Sequence, residues 1–420
     1  MKERKDYGFY DVVVVGGGFS GVAAAIAAAR NGARVALIEK YNCLGGAACF
    51  DLVFPFMYYY TKKKDENDRT VRDKILSRGI FEEIVEEMHK IGGMPESNIE
   101  VFNEEYLKLV LNRMVEKEKI TVLFQTAVVD AERTGGKITG LTVSNVSGPG
   151  RINANVFVDA TGDANLTDES DGLCQPMTLC FRMAGVDMEQ FRKEAMTINP
   201  LYRRLRAEGK IKNPREDVLV FFPPVPGVMH FNTTRVVKLD PTDALDVTRA
   251  EFIAREQVFE MIDFLKSNFK AFADAHIISS GLQIGARESR MIDGEYVLNQ
   301  DDLTAATHFD DGIAACNYDI DIHSPDGTGT SHYYFPDDLY YTIPYRCLLP
   351  KGADNLLVTG RCISVTHEAQ ASVRIMPTCC TLGHAAGVAA AMAATQNKRV
   401  GDVDVKALRA ELRRENAVVD

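Results

Sequence analysis

The sequence has 420 residues, of which 46% are hydrophobic and 25% charged, as is ordinary for a globular protein of two or three domains. The formal net charge is −11 and the basic run 62–64 is followed by acidic residues, so nucleic acid is not an expected partner. No apolar run reaches the roughly 18–20 residues of a membrane helix or forms a signal peptide, so we expect a cytoplasmic protein with no membrane partner.

A βαβ unit is predicted over residues 10–40. Tyr10–Val15 is a β-branched apolar run, typical of a strand buried on both faces. After three glycines, Val22–Arg30 is rich in alanine and predicts a helix, and Arg34–Ile38 predicts a second strand. Strands joined by such a crossover pair in parallel, so the pattern favours an α/β fold with a Rossmann-type parallel sheet.

The next part of the chain predicts helices and then strands. Residues 41–70 are interpreted as a loop, and 71–91 and 103–119 have the apolar periodicity of helices. Four short apolar runs follow and are separated by glycine-rich turns. They predict a β-meander formed by Thr121–Phe124, Ala127–Arg133, Ile138–Ser144 and Ile152–Val158.

From 171 to 349 the pattern changes, and we interpret this region as a second, mixed α+β cap or substrate domain. Amphipathic helices are predicted near 187–209 and 243–270, and a long irregular stretch at 308–345. The chain then returns to its first pattern, which makes the first domain discontinuous, over 6–170 and 350–400. That return consists of a strand at Asn355–Thr359 and a helix at Pro377–Ala394, and 401–420 is expected to form a surface helix.

Gly16, Gly18 and Gly21 form a GxGxxG motif between the first strand and its helix. In that context the first glycine permits a tight turn, the second lets a pyrophosphate approach the backbone, and the third lets helix and strand pack closely. The helix N-terminus offers unpaired N–H groups to phosphate. Glu39 lies about 20 residues after Gly18, where an acid accepts hydrogen bonds from the ribose hydroxyls and disfavours a 2′-phosphate.

The sequence resembles the FAD-dependent oxidoreductases of the glutathione-reductase-like flavoprotein superfamily. The resemblance covers most of the chain and is strongest at Asp11–Lys40, at Leu44-Gly45-Gly46, in the ATGD segment at 160–163, and between 355 and 387. It implies non-covalent FAD in the discontinuous domain. The implied cofactor-binding residues are Gly16, Gly18, Phe19, Ser20, Gly21, Glu39, Lys40, Gly45, Gly46, Val128, Ala160, Thr161, Gly162, Gly360, Arg361, Met376, Thr378 and Gly383.

The sequence departs from that pattern in several ways. Ala47 and Ala48 replace the usual Ser or Thr after the double glycine, and no His adjoins it for a covalent flavin link. A second GxGxxG is missing, as is the redox CxxxxC pair, since five residues separate Cys43 from Cys49. The nine cysteines have no metal-ligand spacing, so we expect buried thiols in a reducing compartment and no metal site.

Candidates for the substrate chemistry lie in polar clusters between the two halves of the FAD domain. A hydride transfer needs cations that orient a polar substrate and usually a base for the accompanying proton. The candidates are Arg287, Arg374, His323, Tyr345 and His367, and His323 and His332 flank a loop that contains 326–329. Each has a structural alternative, such as a salt bridge for the arginines or a hydrogen bond to the backbone for the histidines.

The sequence therefore predicts an FAD-dependent oxidoreductase that transfers a hydride between flavin N5 and a small polar organic substrate. Three alternatives remain open at this point. They are a flavin-dependent isomerase, hydratase or lyase, an electron-transfer subunit with a redox partner, and a tRNA-modifying flavoenzyme, which the negative charge disfavours. A homodimer is a further expectation without a motif of its own.

Overall fold

The computed structural model describes residues 4–167, 174–323 and 329–420. The strands among these residues are β1 (Lys5–Val15), β2 (Val35–Ile38), β3 (Tyr60–Lys64), β4 (Thr70–Ile75), β5 (Thr121–Leu123), β6 (Ala127–Thr134), β7 (Lys137–Asn145), β8 (Gly148–Asp159), β9 (Phe181–Ala184), β10 (Val220–Phe221), β11 (Met229–Phe231), β12 (His276–Ser280), β13 (Gly312–Cys316), β14 (Ile320–His323), β15 (Thr330–Tyr333), β16 (Tyr341–Pro344) and β17 (Leu356–Val358). The α-helices are α1 (Phe19–Arg30), α2 (Ala47–Phe50), α3 (Ile80–Lys90), α4 (Glu104–Lys117), α5 (Met188–Ala207), α6 (Ala244–Asn268), α7 (Gln300–Thr304), α8 (His367–Val373), α9 (Met376–Gln396) and α10 (Val405–Arg414).

The largest sheet is parallel on one side and antiparallel on the other. β5, β2, β1 and β8 lie side by side in parallel. One edge of β8 pairs with β1 in parallel. The other edge pairs with antiparallel β7 near the start of β8 and with parallel β17 at the end of β8. This mixed sheet with a parallel core confirms an α/β fold that suits a Rossmann-type domain.

The register of the parallel strands places their carboxyl ends side by side. Val15 pairs with Ile38 of β2 on one side and with Asp159 of β8 on the other. Asp159 in turn pairs with Val358 of β17. The segments that follow these four residues must therefore leave the sheet at one edge, which is where ligands bind in open α/β sheets.

Alternate residues of β1 enter different hydrophobic cores. Val12 and Val14 face the core that contains α1 and α9, whereas Val13 and Val15 face the opposite side of the sheet, as the period of two of a strand requires. α9 packs directly along α1 at two glycines. A Cβ on Gly383 would lie 2.0 Å from the Ser20 carbonyl oxygen, so only glycine permits this approach.

A second sheet, in the order β10, β11, β9 and β12, belongs to a separate hydrophobic core with α5 and α6. The two long helices correspond to those predicted near 187–209 and 243–270. Buried residues of the later segment 291–349 pack instead in the core that contains α1 and α9. The domain boundaries remain a prediction, and the boundary at 170–171 lies outside the described residues.

Three predictions of local structure are wrong. Residues 70–75 form β4 of a hairpin rather than the start of a helix. β5 lies at the far edge of the sheet, parallel to β2, so the meander contains only β6, β7 and β8. The stretch 308–345, predicted as irregular, contains two antiparallel strand pairs, β13 with β16 and β14 with β15.

No single helix among the described residues is long and apolar enough to cross a membrane. Within that part of the chain, the consecutive helices α8 and α9 reach that length and composition when taken together across a bend of 93°.

Candidate functional site

A cleft with about 1200 Å³ of empty space opens at the carboxyl ends of the parallel strands. The segments that follow β1, β2, β8 and β17 all line it, as the level register of these strands predicts. The glycine turn after β1 and the first turn of α9 both line it.

Two glycine segments form the floor of the cleft. Gly18 ends the turn after β1 and precedes α1, whose N-terminus has no side-chain cap, so its first N–H groups are open to a ligand. Gly46 adopts a left-handed φ of 53°, and a Cβ there would lie 2.8 Å from the Gly18 Cα. The Gly45 N–H donates to the Gly17 carbonyl (2.9 Å), which holds the two segments together. The result is a backbone surface without side chains at the N-terminus of α1.

Glu39 lies at the end of β2, buried beside the glycine turn. Its Oε2 accepts from the Gly17 N–H (2.6 Å) and its Oε1 accepts from the Tyr41 N–H (2.8 Å). Burial raises the pKa of the carboxyl, while these N–H donors oppose the shift. Because each carboxylate oxygen has two lone pairs, Glu39 can accept further bonds from a ligand.

The Asp159 carboxylate stabilises the turn that follows β8. Its carboxylate accepts from the N–H and hydroxyl of Thr161 (2.9 and 2.6 Å) and from the Leu166 N–H (2.7 Å). Asp163, at the end of this turn, pairs with Arg361 from the segment after β17. The ATGD segment and Gly360-Arg361, distant in sequence, therefore form one wall of the cleft.

The first turn of α9 also lines the cleft. Met376 and Cys379 line the cleft together with Arg374, which precedes the helix. Thr378 points elsewhere, and its hydroxyl donates to the Cys316 sulfur (3.4 Å). Burial raises the pKa of the Cys379 thiol to about 12, so it is a neutral thiol at physiological pH.

Most of the residues predicted to bind the cofactor meet in this cleft. Those that line it are Gly16, Gly18, Phe19, Ser20, Glu39, Lys40, Gly45, Gly46, Val128, Ala160, Thr161, Gly162, Gly360, Arg361 and Met376. Gly21, Thr378 and Gly383 do not line it. Gly21 instead packs α1 against the glycine turn, since a Cβ there would lie 1.7 Å from the Gly16 carbonyl oxygen.

Sequence reasoning missed a group of three polar side chains in the cleft. Tyr41, Asp51 and Gln283 line the cleft, and the Tyr41 hydroxyl donates to the Gln283 side chain. Asp51 is 5% exposed and its Oδ1 has no partner among the described residues. Burial raises the pKa of Asp51 to about 7, opposed by the Gln283 amide and the Arg361 charge. Nothing in the local sequence marks Asp51, because Gln283, which lies beside it, is distant in sequence.

Arg287, Arg374 and His323 lie around one buried polar network. The Gln370 side chain donates to the Arg287 carbonyl (2.8 Å) and accepts from the Gln175 amide (3.0 Å). Gln175 also accepts from the His323 N–H (3.4 Å). Burial and the Arg287 charge lower the pKa of His323 to about 3, so its imidazole is neutral at pH 7.

Of the five candidates for the substrate chemistry, Arg374 lines the cleft, and Arg287, His323, Tyr345 and His367 do not. Tyr345 is fully buried, and its hydroxyl donates to the Val400 carbonyl (2.8 Å), so the proposed site does not include it. His367 begins α8, and its Nδ1 lies 2.8 Å from Oε1 of the buried Glu288. Residues 326–328 of the loop between His323 and His332 lie outside the described residues.

No group of three His, Cys, Asp or Glu side chains within 4–167, 174–323 and 329–420 could hold a metal ion.

The residues of the cleft fit FAD. The uncapped N-terminus of α1 and the bare backbone of Gly18 and Gly46 suit a pyrophosphate, and Glu39 suits a ribose. α9 also begins without a side-chain cap, so its positive end faces the cleft near Met376. Together these sites provide N–H donors for the pyrophosphate, a carboxylate acceptor for a ribose, and a second helix N-terminus for another part of the dinucleotide.

Similar solved structures cover nearly the whole chain, but at low sequence identity. No curated protein matches the sequence. Among solved structures, the chain is similar to a geranylgeranyl bacteriochlorophyll reductase-like protein from Thermoplasma acidophilum (12% identity, 97% of this chain and 83% of that chain, TM-score 0.49). It is also similar to a flavoprotein/dehydrogenase from Cytophaga hutchinsonii (13%, 96% and 82%, TM-score 0.43) and to a flavin-dependent brominase (14%, 97% and 84%, TM-score 0.45). These values are too low to bear on function.

The model of the FAD dependent oxidoreductase family matches residues 11–412, which is nearly the whole chain. The chain belongs to the FAD-dependent oxidoreductase family, and FAD is its cofactor.

Proposed function

We propose that this flavoenzyme is a dehydrogenase or reductase that transfers a hydride between flavin N5 and a small polar organic substrate. The observation that carries the proposal is the buried polar network next to Arg374, which lines the cleft and whose N–H donates to the Gln370 carbonyl (3.2 Å). There the buried amides of Gln175 and Gln370 connect Arg287 with His323. Buried polar side chains in fixed positions suit a substrate that forms several hydrogen bonds.

Bound FAD would supply the atom that accepts or donates the hydride. The chain's own residues would hold and orient it. The amides at the start of α1 would bind the pyrophosphate, Glu39 would accept from the ribose, and the positive end of α9 would stabilise negative charge on the reduced flavin. His323, neutral at pH 7, orients the substrate by hydrogen bonding rather than acting as a base, since its pKa is about 3.

Two finer assignments accompany this proposal. We place the chain in the glutathione-reductase-like superfamily because the glycine motif, Glu39 and the ATGD segment occupy one cleft. We also propose that it works in the reducing cytoplasm, which agrees with the buried thiols of Cys49, Cys180 and Cys316.

The test is an anaerobic visible spectrum of the purified protein with a panel of small polar alcohols, amines and hydroxy acids, each read by flavin bleaching. At least one compound should reduce the oxidised flavin on the timescale of turnover. Alternatively, the oxidised form of one compound should reoxidise the reduced flavin on that timescale. Gly18→Glu, which places a carboxylate at the pyrophosphate position, should abolish bound FAD while the protein stays folded. A substrate that is converted without any change in flavin redox state would refute the proposal and favour a non-redox flavoenzyme.

A further inference from the structure

The guanidinium of Arg287 is partly buried and is held by neutral groups. Its Nη1 donates to the Pro176 carbonyl (2.7 Å) and the Thr178 hydroxyl (2.5 Å), and its Nη2 donates to the Asn232 side chain (3.3 Å). No carboxylate of the described residues forms an ion pair with it. Burial, together with repulsion from the Arg374 and Arg215 guanidiniums, lowers the pKa of Arg287 to about 9.

The positive charge of Arg374 is only partly neutralised by the nearby carboxylate of Asp321. Its Nη2 lies 4.0 Å from the Asp321 Oδ2, and its buried Nε has no partner among the described residues. The Asp321 carboxylate is shared, since His323 lies 3.4 Å and His332 3.5 Å from its oxygens. Among the described residues, Asp321 is the carboxylate within 4.0 Å of these two guanidiniums, whereas Arg215 adds a further positive charge near Arg287.

Arg374 lines the cleft two residues before Met376, whereas Arg287 does not line it. The two guanidiniums are near enough for Arg374 to lower the pKa of Arg287. The Arg287 backbone is fixed to α8 through the Gln370 side chain, and α8 is followed directly by Arg374. The charge of Arg374 is therefore held at the cleft lining by α8, with the charge of Arg287 close to it.

We propose that the substrate is an anion whose carboxylate pairs with Arg374, beside the positive charge of Arg287. An uncompensated buried charge is costly, and a carboxylate ligand would remove that cost. The planar guanidinium matches a carboxylate in a two-point hydrogen bond, which also fixes the orientation of the substrate. This inference rests on the proposed function for the identity of the ligand as substrate, but anion binding itself does not require turnover.

The experiment uses oxidised, FAD-loaded enzyme and follows the flavin absorption spectrum during titration. The probes are malonate and succinate, their uncharged diamides malonamide and succinamide, and inorganic phosphate. Arg374→Gln removes the charge, and Arg203→Gln is the matched control, because Arg203 is an exposed arginine paired with Asp217 on α5's surface. Isothermal titration calorimetry provides a second measure of each dissociation constant.

At least one dicarboxylate should give a saturable spectral change that its diamide does not give. Its affinity should fall at least about tenfold in Arg374→Gln, the loss of a charge-assisted hydrogen bond, and stay unchanged in Arg203→Gln. Equal binding of the diamides, tighter binding of phosphate, or no saturable binding would each overturn the inference. If Arg374→Gln does not fold, the comparison of acid with diamide on the unaltered enzyme decides.

These outcomes separate the inference from the proposed function. Carboxylates that bind without any compound changing the flavin redox state would contradict the proposed function alone. Flavin that is bleached only by neutral substrates, with no carboxylate binding, would contradict the inference alone.

Discussion

The carboxylate of Asp163 and the guanidinium of Arg361 form a 2.5 Å ion pair that joins the segments after β8 and β17 at the wall of the cleft. Arg361 also donates to the carbonyls of Gly162 (2.7 Å) and Ala286. Burial alone would raise the pKa of Asp163, but Arg361 and the Ser289 hydroxyl hold it below its ordinary value. The Arg361 guanidinium thus connects the segments after β8 and β17 with the backbone at Ala286.

Arg361→Gln should lower the free energy of unfolding by about 1–3 kcal/mol at pH 7. Breaking a fully buried pair costs about 3–5 kcal/mol, and these side chains are 21% and 23% exposed, so solvent screening reduces the value. The carboxylate of Asp163 stabilises the fold above its unfolded pKa, and that contribution disappears as the pH falls through the lower folded value. Urea unfolding of the FAD-free protein at pH 7 and in acid measures the difference, which should shrink in acid.

Arg361→Lys serves as the control for charge. It keeps the attraction to Asp163 but cannot reach the Gly162 and Ala286 carbonyls with one planar group, so it should recover part of the stability. Equal stability of Arg361→Gln and the unaltered protein would show that the pair does not hold the cleft wall.

Asp51 should make the protein less stable as the pH rises from about 4 to 7. The folded state keeps a proton up to a pKa of about 7, whereas the unfolded carboxyl loses it near the ordinary value of 3.8. The unfolded state then binds fewer protons than the folded state in this range, so the free energy of unfolding falls with pH, by a few kcal/mol in order of magnitude, and levels off above pH 7.

Asp51→Asn removes this titration. The stability of the variant relative to the unaltered, FAD-free protein should therefore increase between pH 4 and 7 and stay constant above pH 7. Urea unfolding across the range measures it, and Glu96→Gln, at an exposed carboxyl between α3 and α4, should show no such trend. A pH-independent difference for Asp51→Asn would contradict the prediction.

The sequence predicts the parts of the site that depend on neighbouring residues. The glycine turn, the start of α1 and Glu39 lie within one βαβ unit, where strand, turn and helix signals follow one another. Asp51 and Gln283 meet only through tertiary packing between segments that are distant in sequence, and no local pattern encodes that contact. Gly383 is likewise a glycine because Ser20 of another helix approaches it, not because of the cofactor.

The wrong prediction at β4 has a similar cause. The apolar residues around 75–88 have helical spacing, but the chain up to 75 pairs with β3 across a tight turn. Asp65 stabilises this turn, since its carboxylate accepts from the N–H groups of Asn67 (2.8 Å) and Arg69 (2.9 Å). Side-chain bonding to the local backbone here outweighs the periodicity of the following helix.

Gly18→Ala and Gly21→Ala should separate two roles of the glycine motif. Gly18 has an ordinary φ of −71°, and a Cβ there would meet only the Gly46 Cα at 3.7 Å, so the FAD-free variant should fold with unchanged stability. Its methyl group would cover backbone offered to the pyrophosphate, so FAD should bind at least about tenfold more weakly.

Gly21→Ala should instead destabilise the fold itself by about 1–3 kcal/mol or more, because its Cβ would lie 1.7 Å from the Gly16 carbonyl oxygen. Thermal unfolding of the FAD-free proteins and fluorescence titration with FAD distinguish the two effects. Gly401→Ala, with open space around its Cβ, is the neutral control. An unstable Gly18→Ala beside a stable Gly21→Ala would reverse this assignment.

Cys43 should be the first cysteine to react with iodoacetamide at neutral pH. It is half-buried, and hydrogen bonding from the Cys49 thiol lowers its pKa, which favours the reactive thiolate. Cys174 has a similar exposure, but burial raises its pKa to about 11, so it should react more slowly. Mass spectrometry after brief alkylation of the FAD-free protein gives the order.

Cys49→Ala should slow the alkylation of Cys43, because it removes the hydrogen bond that stabilises the thiolate. FAD should also protect Cys43, since Gly45 and Gly46, two and three residues later, line the cofactor cleft and become fixed when it is filled. Faster labelling of Cys174, or a Cys43 rate that neither Cys49→Ala nor FAD changes, would show that the thiol pair has no influence on reactivity beside the cleft.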